Sequence, residues 1–291
     1  MATQDEKLYL ADNPALRFLA HASRYVFNWL DEVFVGKNSP ATFDISNILL
    51  TLPHLEPPFD GYRIVHISDI HVDTWLGLER LKQVVELVNA RQPDLIAITG
   101  DFVTTHQEET IAAMGRALRA MRASDGVLAV LGNHDYWAAA AEVRDMLNAA
   151  GIREIGNQVH TLQRGKARLH IAGVDDVYNK HDRLNHVIEH LPLGGAAILL
   201  VHVPDFADVA AATQRFDLCL SGHSHGGQLV IPGRKPLFLP LYGQKYYSGL
   251  YRVNGMYQYT TRGLGTSTFA LRWNCPPEIS VLTLHTPKQM H

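Results

Sequence analysis

Hydrophobic and polar positions between residues 62 and 150 follow a repeating pattern of short apolar runs and longer amphipathic segments. The apolar runs predict buried strands at 62–68, 94–99 and 126–131. The segments between them carry apolar residues on one helical face and predict helices at 78–90, 108–122 and 137–150. Strands that alternate with helices at this spacing are typical of βαβ units, so we expect a parallel sheet in this region.

The pattern changes after residue 158, where strands predominate. We predict strands at 159–163, 167–174, 196–201, 217–220, 229–231, 246–253, 256–261 and 279–284. Two short helices are expected near 182–190 and 205–213. Taken with the first half, this pattern predicts an α/β protein.

An amphipathic segment and a proline-rich stretch precede the main domain. Polar residues at positions 17, 21, 24, 28 and 31 form one stripe of a predicted helix over 14–34, and its remaining face is apolar. Four prolines in 38–61 surround the apolar run 45–52, which predicts a linker or an edge strand. We therefore divide the chain into an N-terminal helix and linker, residues 1–60, and a main domain, residues 61–286.

The helix over 14–34 has two interpretations. It can lie in a membrane interface, as weak peripheral contact with the inner face of the membrane, or it can dock on the globular body. No run approaches the roughly 18 uncharged apolar residues that a membrane-spanning helix needs. The acidic, polar N-terminus is unlike a secretory signal, so we expect a cytoplasmic location.

Composition is that of an ordinary globular protein. Hydrophobic residues make up 46% of the 291 residues and charged residues 19%, which excludes a disordered or collagen-like protein. The net charge of −3 provides no basic field, so we expect no nucleic-acid binding. Cys219 and Cys275 cannot build a disulfide framework and are expected to be reduced core thiols. Histidine is frequent, at 16 residues, and its positions indicate where chemistry resides.

Five of the predicted strands run directly into side chains that can bind a metal. These side chains are Asp69, His71, Asp101, Asn133, His202, His223 and His225. Ligands of open α/β sheets bind beyond the carboxyl ends of the strands, so we expect the seven groups at one sheet edge. Without cations such a cluster would be costly, because the groups lose water and the carboxylates repel each other.

The donor types narrow the choice of cation. Carboxylate, amide and imidazole donors without thiolate suit Mn²⁺, Fe²⁺, Co²⁺, Ni²⁺ or Zn²⁺ and argue against Ca²⁺. Seven donors are too many for one tetrahedral ion, whereas two divalent ions that share a bridging carboxylate account for them. Two such ions, about 3.5–4 Å apart, promote in-line displacement at phosphorus, and they lower the pKa of a bridging water towards about 7. The sequence thus predicts hydrolysis of phosphoric esters by a metal-bridging hydroxide.

His134 and Asp135 extend this set. His134 follows the Asn133 ligand, and we predict that it is catalytic, either as a general acid or as a hydrogen-bond donor to the developing phosphorane. Asp135 is predicted to act with it by holding the orientation of the imidazole.

The ordered blocks Asp-x-His, Gly-Asp, Gly-Asn-His-Asp, His and Gly-His-x-His over residues 69–225 resemble the signature of the calcineurin-like metallophosphoesterase superfamily. The resemblance implies that residues 61–286 form a four-layered α/β/β/α sandwich of two mixed sheets flanked by helices. It implies that one metal is bound by Asp69, His71, Asp101 and His225. It also implies that the other is bound by Asp101, Asn133, His202 and His223, so that Asp101 bridges and His134 is catalytic.

Two further stretches resemble the YkuE/YaeI-type bacterial branch of this superfamily. They are 222–228 with Ile231 and Pro232, and 262–267 with Arg272, Asn274, Cys275 and Glu278. The resemblance implies a phosphorylated small-molecule or lipid-linked substrate, because the branch includes enzymes that cleave the pyrophosphate of UDP-2,3-diacylglucosamine. We expect cleavage of a phosphodiester or pyrophosphate bond. The alternatives are a phosphomonoesterase or protein phosphatase, a UDP-2,3-diacylglucosamine-type lipid pyrophosphohydrolase, and a binding module without chemistry.

Several other residues keep two interpretations. Substrate stacking and core packing are both open for four aromatic residues, Trp75, Tyr136, Trp137 and Tyr178. Cleft lining and turn stabilisation are both open for Asp175 and Asp176. The segment 231–250 is a lid or apolar substrate slot, or else a surface loop packed by its own side chains. Core positions are predicted for His66 and His170, and a solvated helix face for His186 and His190.

Overall fold

Two six-stranded sheets dominate the computed structural model, which describes residues 43–267 and 271–287. The strands of the first sheet are β1 (Asp44–Thr51), β2 (Tyr62–Ile67), β3 (Leu95–Thr99), β4 (Val127–Val130), β5 (Arg153–Glu154) and β12 (Glu278–His285). Their order is β1-β12-β2-β3-β4-β5. Since β2, β3, β4 and β5 run parallel, they end at one edge, while β12 is antiparallel to β2.

The second sheet is also mixed. Its strands are β6 (Gln158–Arg164), β7 (Ala167–Gly173), β8 (Ala196–Leu200), β9 (Leu218–Ser221), β10 (Gly249–Val253) and β11 (Met256–Thr260). Their order is β10-β11-β9-β8-β7-β6, and β7, β8, β9 and β11 are parallel. The parallel strands of the two sheets therefore supply the strand ends on which a ligand site can be built.

Helices cover the outer faces of both sheets. They are α1 (Gly77–Ala90), α2 (Glu108–Leu118), α3 (Asn133–Ala138), α4 (Ala140–Ala150), α5 (Leu184–His190) and α6 (Ala207–Ala212). In α1 the buried residues Leu81, Val84, Val85 and Val88 recur at helical spacing, which is why this segment folds as a helix against the sheet.

Three apolar cores separate four layers, because successive side chains of a strand point to opposite faces. In β3, Ile96 and Ile98 pack in the core beneath α1, α2 and α4, whereas Leu95 packs between the sheets. In β8, Ile198 packs between the sheets and Leu199 packs in the core shared with α5 and α6. The predicted four-layered α/β/β/α sandwich is therefore confirmed.

Some predicted elements differ from the structure. The strand predicted at 229–231 is wrong: Leu229 makes only an isolated bridge to Trp273, and Pro232 prevents the strand from continuing. The helix predicted over 137–150 starts earlier, at Asn133, and is interrupted at Ala139, where φ is −163° and ψ is 48°. This break separates α3 at the strand ends from α4 on the sheet face.

The run at 45–52 is an edge strand, β1, which pairs in parallel with β12. It lies before residue 61, so the first sheet includes chain from both sides of the boundary that we predict there. The helix predicted over 14–34 lies outside the described residues. In the described part of the chain, no helix is both long and apolar enough to cross a membrane. Cys219 and Cys275 are buried free thiols, as predicted.

Candidate metal centre

The carboxyl ends of strands from both sheets bring the predicted ligands together. Asp69 and His71 follow β2, Asp101 follows β3, His202 follows β8, and His223 and His225 follow β9. Asn133 follows β4 and is the first residue of α3. All seven side chains belong to residues that are at most 5% exposed. The strand ends thus collect carboxylate, amide and imidazole groups in one buried site.

Five of these residues have a backbone conformation that side chains rarely adopt. Asp69, His71, Asp101, His223 and His225 have φ between 42° and 70°. Non-glycine residues at positive φ are strained, and such strain is concentrated at functional sites. Each of the five residues lies two to four positions after the end of β2, β3 or β9. The donor arrangement is therefore a backbone-imposed feature.

The donor atoms of the predicted ligands form two groups of three, Asp69, His71 and His225 on one side and Asp101, His202 and His223 on the other; within each, the donor atoms lie within 4.8 Å of one another. A third group, His71, Asp101 and His134, overlaps both. The nearest pairs within these groups are 3.3 Å between His225 Nε2 and Asp69 Oδ1 and 3.2 Å between His202 Nε2 and Asp101 Oδ2. His71 Nε2, from the first group, is 3.5 Å from Asp101 Oδ2. Asp101 therefore stands where a bridging ligand would stand.

Hydrogen bonds on the far side of three imidazoles fix which nitrogen faces the site. His71 Nδ1 pairs with Thr104 Oγ1 at 2.8 Å, and His202 Nδ1 donates to the Thr99 carbonyl at 2.6 Å. In His223 the Nε2 donates to the Leu241 carbonyl at 2.8 Å, which leaves Nδ1 facing His202. Partners of this kind set the tautomer of a metal-binding histidine.

Two buried atoms in the site test whether a cation fits it. His71 Nε2 and Asn133 Oδ1 have no hydrogen-bond partner, although buried polar atoms normally have one. Both atoms can accept a positively charged ligand, and the site has no thiolate. The residues present therefore fit hard or borderline divalent cations rather than a soft metal.

The electrostatics of Asp101 point the same way. Burial by itself would raise the pKa of Asp101, but the charge and hydrogen bond of His202 hold it well below its usual range. Burial would lower the pKa of His202, yet the Asp101 and Asp69 carboxylates raise it to about 10. The carboxylates thus favour positive charge between the sheets, where a cation would be bound.

His134 lies at the rim of the site. Its ring centroid is 4.9 Å from that of His71 and 4.8 Å from that of Trp137, and its amide donates to Asp101 Oδ1 at 2.9 Å. Burial lowers the pKa of His134 to about 4, although the Asp101 charge opposes the shift, so the imidazole is neutral at pH 7. A neutral imidazole carries one N–H and can donate it. Both roles predicted for His134, general acid and hydrogen-bond donor, stay predictions.

Asp135 does not form the predicted contact with the His134 imidazole. Its carboxylate accepts backbone N–H groups at 2.8–3.2 Å, from Asp101, Phe102, Val103 and Gly132. These four donors occupy both oxygens, and no hydrogen bond joins the carboxylate to the imidazole in the described residues. Asp135 instead fixes the loop after β3, which carries Asp101, against the first turn of α3.

We expect Asp135→Asn to lower both the melting temperature and the metal affinity. The amide offers one acceptor oxygen, so at least one buried backbone N–H loses its partner, which costs about 1–3 kcal/mol. Thermal unfolding and Mn²⁺ titration of the purified variant measure the two effects. Asp145→Asn, in an exposed part of α4, is the matched control. A variant with wild-type melting and metal affinity but slow turnover would favour the imidazole role instead.

Glycines allow the loops of the site to approach each other closely. A Cβ on Gly222 would overlap Ser68 Oγ and Asp69 Oδ2, and one on Gly132 would overlap Asp101 Oδ1. Gly263 stands equally close to the Asp69 side chain, where an added Cβ would lie 2.7 Å from Asp69 Cβ. Gly132 and Gly222 of the sequence blocks are therefore required by their close approach to the carboxylates.

Gly222→Ala is expected to reduce metal affinity by about 10- to 100-fold, the range seen when groups that orient ligands are altered. The new methyl group would displace the Asp69 carboxylate, which accepts the His223 amide at 3.0 Å. Titration of the variant with Mn²⁺ measures the loss. Gly165→Ala is the control, since Gly165 has a positive φ of 64° but nothing within 4 Å of an added Cβ. Equal metal affinity in the two variants would contradict the expectation.

Two contributors to the site were not assigned a role from the sequence. Arg272 donates to the carbonyls of Arg262 at 2.7 Å and Gly265 at 2.6 Å, and it lies 3.3 Å from His225 Nδ1. The loop that it holds donates from Gly265 N to the Asp69 carbonyl at 2.7 Å. Thr104, which pairs with His71, belongs to no recognisable motif. In the sequence, Arg272 stands out only as part of the stretch that resembles the YkuE/YaeI-type branch.

Several residues that keep two interpretations in the sequence prove to be packing or turn residues. Tyr136 stacks on His181 at 4.2 Å and donates to Asp175 at 2.7 Å, so it is a packing residue. Asp176 is a turn carboxylate that accepts the Tyr178 amide at 2.9 Å. Trp75 packs against the core. His66 and His170 are fully buried, as predicted, and His186 and His190 are exposed, as predicted.

The chain is similar to a known family of phosphoesterases and to two bacterial proteins. The family model described as calcineurin-like phosphoesterase matches residues 62–227. The uncharacterized metallophosphoesterase YkuE of Bacillus subtilis strain 168 is 35% identical over 238 residues, which cover 80% of this chain and 81% of that protein. The phosphodiesterase YaeI of Escherichia coli strain K12 is 29% identical over 227 residues, which cover 77% of this chain and 82% of that protein.

Proposed function

The chain belongs to the calcineurin-like phosphoesterase family and is a hydrolase of phosphoric esters, and on this premise we propose that it is a two-metal phosphodiesterase. Water attacks phosphorus in a phosphodiester or pyrophosphate; one P–O bond forms and the opposite P–O bond breaks. A phosphodiester gives a phosphomonoester and an alcohol, which takes up a proton from the water, and a pyrophosphate substituted at both ends gives two phosphomonoesters. The observation that carries the proposal is the pair of three-donor groups, which adjoin where His71 Nε2 lies 3.5 Å from Asp101 Oδ2.

The seven ligand residues would divide between two cations as the sequence signature implies. One would be held by Asp69, His71, Asp101 and His225. The other would be held by Asp101, Asn133, His202 and His223. When bound, two divalent cations neutralise phosphate charge and make hydroxide available at neutral pH.

The protein's own groups then bind and orient the ester. The neutral His134 donates its N–H to a phosphate oxygen, where negative charge increases during attack. Thr104 and the Thr99 carbonyl hold the His71 and His202 rings, so these donors keep one orientation throughout. Asp135 keeps the Asp101 loop in place through the backbone.

We propose a diester substrate and a first-row divalent cation. A 29% identical relative is named a phosphodiesterase, which supports diesters over monoesters. We propose a phosphorylated small molecule or a lipid-linked phosphate ester as the substrate class. Mn²⁺ is the first cation to test, followed by Zn²⁺, Fe²⁺, Co²⁺ and Ni²⁺, because all suit imidazole and carboxylate donors.

Parallel assays test the proposal. Chelator-treated protein is loaded with each cation, its metal content is measured, and it is given bis-p-nitrophenyl phosphate or p-nitrophenyl phosphate. We expect about two metal ions per chain and faster hydrolysis of the diester, with activity lost in the chelator. A faster reaction with the monoester would favour the phosphomonoesterase alternative. Bound metal without hydrolysis of any ester, including nucleotide-linked pyrophosphates, would overturn the proposal.

A further inference from the structure

Three aromatic residues continue outward from the candidate metal centre. The ring of Trp137 lies 4.8 Å from that of His134 and 5.3 Å from that of Tyr178. Tyr178 lies 6.1 Å from His223 and 5.8 Å from Tyr242. Trp137 belongs to α3, whereas Tyr178 and Tyr242 come from two separate loops. Together the three residues form an aromatic wall from His134 to the segment 236–243.

Two rings of the aromatic wall are exposed, and hydrogen bonds tie Trp137 and the backbone of Tyr178 to their neighbours. Trp137 is 41% exposed and Tyr242 42%. The Trp137 Nε1 donates to Asn179 Oδ1 at 3.1 Å, and Asp176 accepts the Tyr178 amide at 2.9 Å. Preorganised aromatic surfaces bind apolar groups well, because little side-chain freedom is lost on binding.

The segment that carries Tyr242 is attached to both the site and the body. The Leu241 carbonyl accepts His223 Nε2 at 2.8 Å, and the Tyr242 carbonyl accepts the Asp205 amide at 2.9 Å. Leu241, Leu237 and Phe238 in the same segment are exposed by 37%, 53% and 56%. Exposed apolar side chains are therefore concentrated on a loop that contacts a predicted metal ligand. Such a patch is unfavourable in water and is typical of a ligand-binding surface.

Resting on the proposed function, we propose that Trp137, Tyr178 and Tyr242 bind a large apolar group of the substrate, next to the phosphate. The substrate class is a phosphodiester in which one ester substituent is an aromatic ring or an alkyl chain. The Trp137 N–H is already used within the protein, so Trp137 offers a substrate its ring face rather than a hydrogen-bond donor.

Three synthetic diesters test this proposal. Methyl, hexyl and phenyl p-nitrophenyl phosphate share one leaving group, so their kcat/KM values differ through the second substituent. We expect wild-type kcat/KM for the phenyl or hexyl diester to exceed that for the methyl diester by about tenfold, the scale of one well-packed aromatic contact. In Trp137→Ala and Tyr242→Ala the ratio should fall towards that of the uncatalysed hydrolysis of the same two diesters. Any general loss of rate cancels, because each ratio is measured within one variant.

The two longer diesters separate a ring from a chain. A phenyl preference that Trp137→Leu removes, with the hexyl preference kept, identifies ring stacking. Equal preference for both, kept in Trp137→Leu, identifies general apolar contact. Leu193→Ala is the control, since Leu193 is 83% exposed and precedes β8, at the opposite end of the strand from His202. Its ratio should equal that of the wild type.

A binding measurement makes the result independent of turnover. Phenylphosphonate and methylphosphonate are titrated calorimetrically into Mn²⁺-loaded protein. We expect tighter binding of phenylphosphonate by about tenfold, lost in the Trp137→Ala and Tyr242→Ala double variant. Equal affinities in the wild type would overturn the aromatic subsite even if diesters are hydrolysed. Selective phenylphosphonate binding without hydrolysis would leave the subsite standing and overturn the proposed function instead.

Discussion

Asp101→Ala is expected to abolish metal binding and phosphoesterase activity together. Asp101 Oδ2 lies 3.2 Å from His202 Nε2 and 3.5 Å from His71 Nε2, so its carboxylate joins the two donor groups. Removing a residue that merely orients a ligand costs about 10- to 100-fold in metal affinity. Loss of a carboxylate shared by both groups should exceed that range. Metal content by mass spectrometry and hydrolysis of bis-p-nitrophenyl phosphate measure the two losses.

The control for this variant is Asp145→Ala, on the exposed side of α4, which should keep full metal content and activity. Circular dichroism establishes that Asp101→Ala is folded, so that lost metal reflects the site. A folded Asp101→Ala that still binds two ions with normal affinity would show that Asp101 is not the bridging ligand. Loss of one ion alone would assign Asp101 to a single cation.

His134→Ala should separate metal binding from catalysis. The His134 side chain stands at the rim, packed edge-to-face against Trp137, and its neutral imidazole can donate to a phosphate oxygen. We expect normal metal content and a fall in kcat of about 10²- to 10⁴-fold, the usual contribution of a positioned proton donor. Metal titration and steady-state kinetics on the same preparation test both parts.

A second variant distinguishes the two roles predicted for this histidine. His134→Gln keeps an N–H donor but cannot transfer a proton near neutral pH. If donation is what matters, His134→Gln should recover part of the rate that His134→Ala loses; if proton transfer matters, the two should be equally slow. His186→Ala, on the exposed face of α5, is the matched control. Wild-type turnover in His134→Ala would remove His134 from the mechanism.

Much of the candidate site could be predicted because each predicted ligand lies within four residues after a strand. Parallel neighbours such as β2 and β3 end at the same edge, so the order of apolar runs along the chain already places Asp69 near Asp101. The pairing of the two sheets is different. The amide of His223 donates to Asp69 across the space between them, and no local pattern predicts that approach. The sandwich came from the resemblance to a known family.

The contacts that orient the ligands could not be predicted in the same way. Thr104 and the Leu241 carbonyl hold His71 and His223 because loops that are distant in the sequence pass behind the imidazoles. Asp135 has the right residue type and position for a partner of His134, yet four backbone amides take its oxygens. Which groups form these hydrogen bonds depends on the path of the loops, and the sequence does not show that path.

The left-handed backbone at five predicted ligand positions has a consequence for the stability of the protein in a cell. Each strained turn lowers the free energy of unfolding, by about 1 kcal/mol or more per residue, unless something bound to the folded state offsets it. A chain synthesised during cation shortage would therefore spend more time open to proteases. Scarcity of the metal should then reduce the abundance of the enzyme. Recovery would depend on new synthesis rather than on metal binding to protein that is already present.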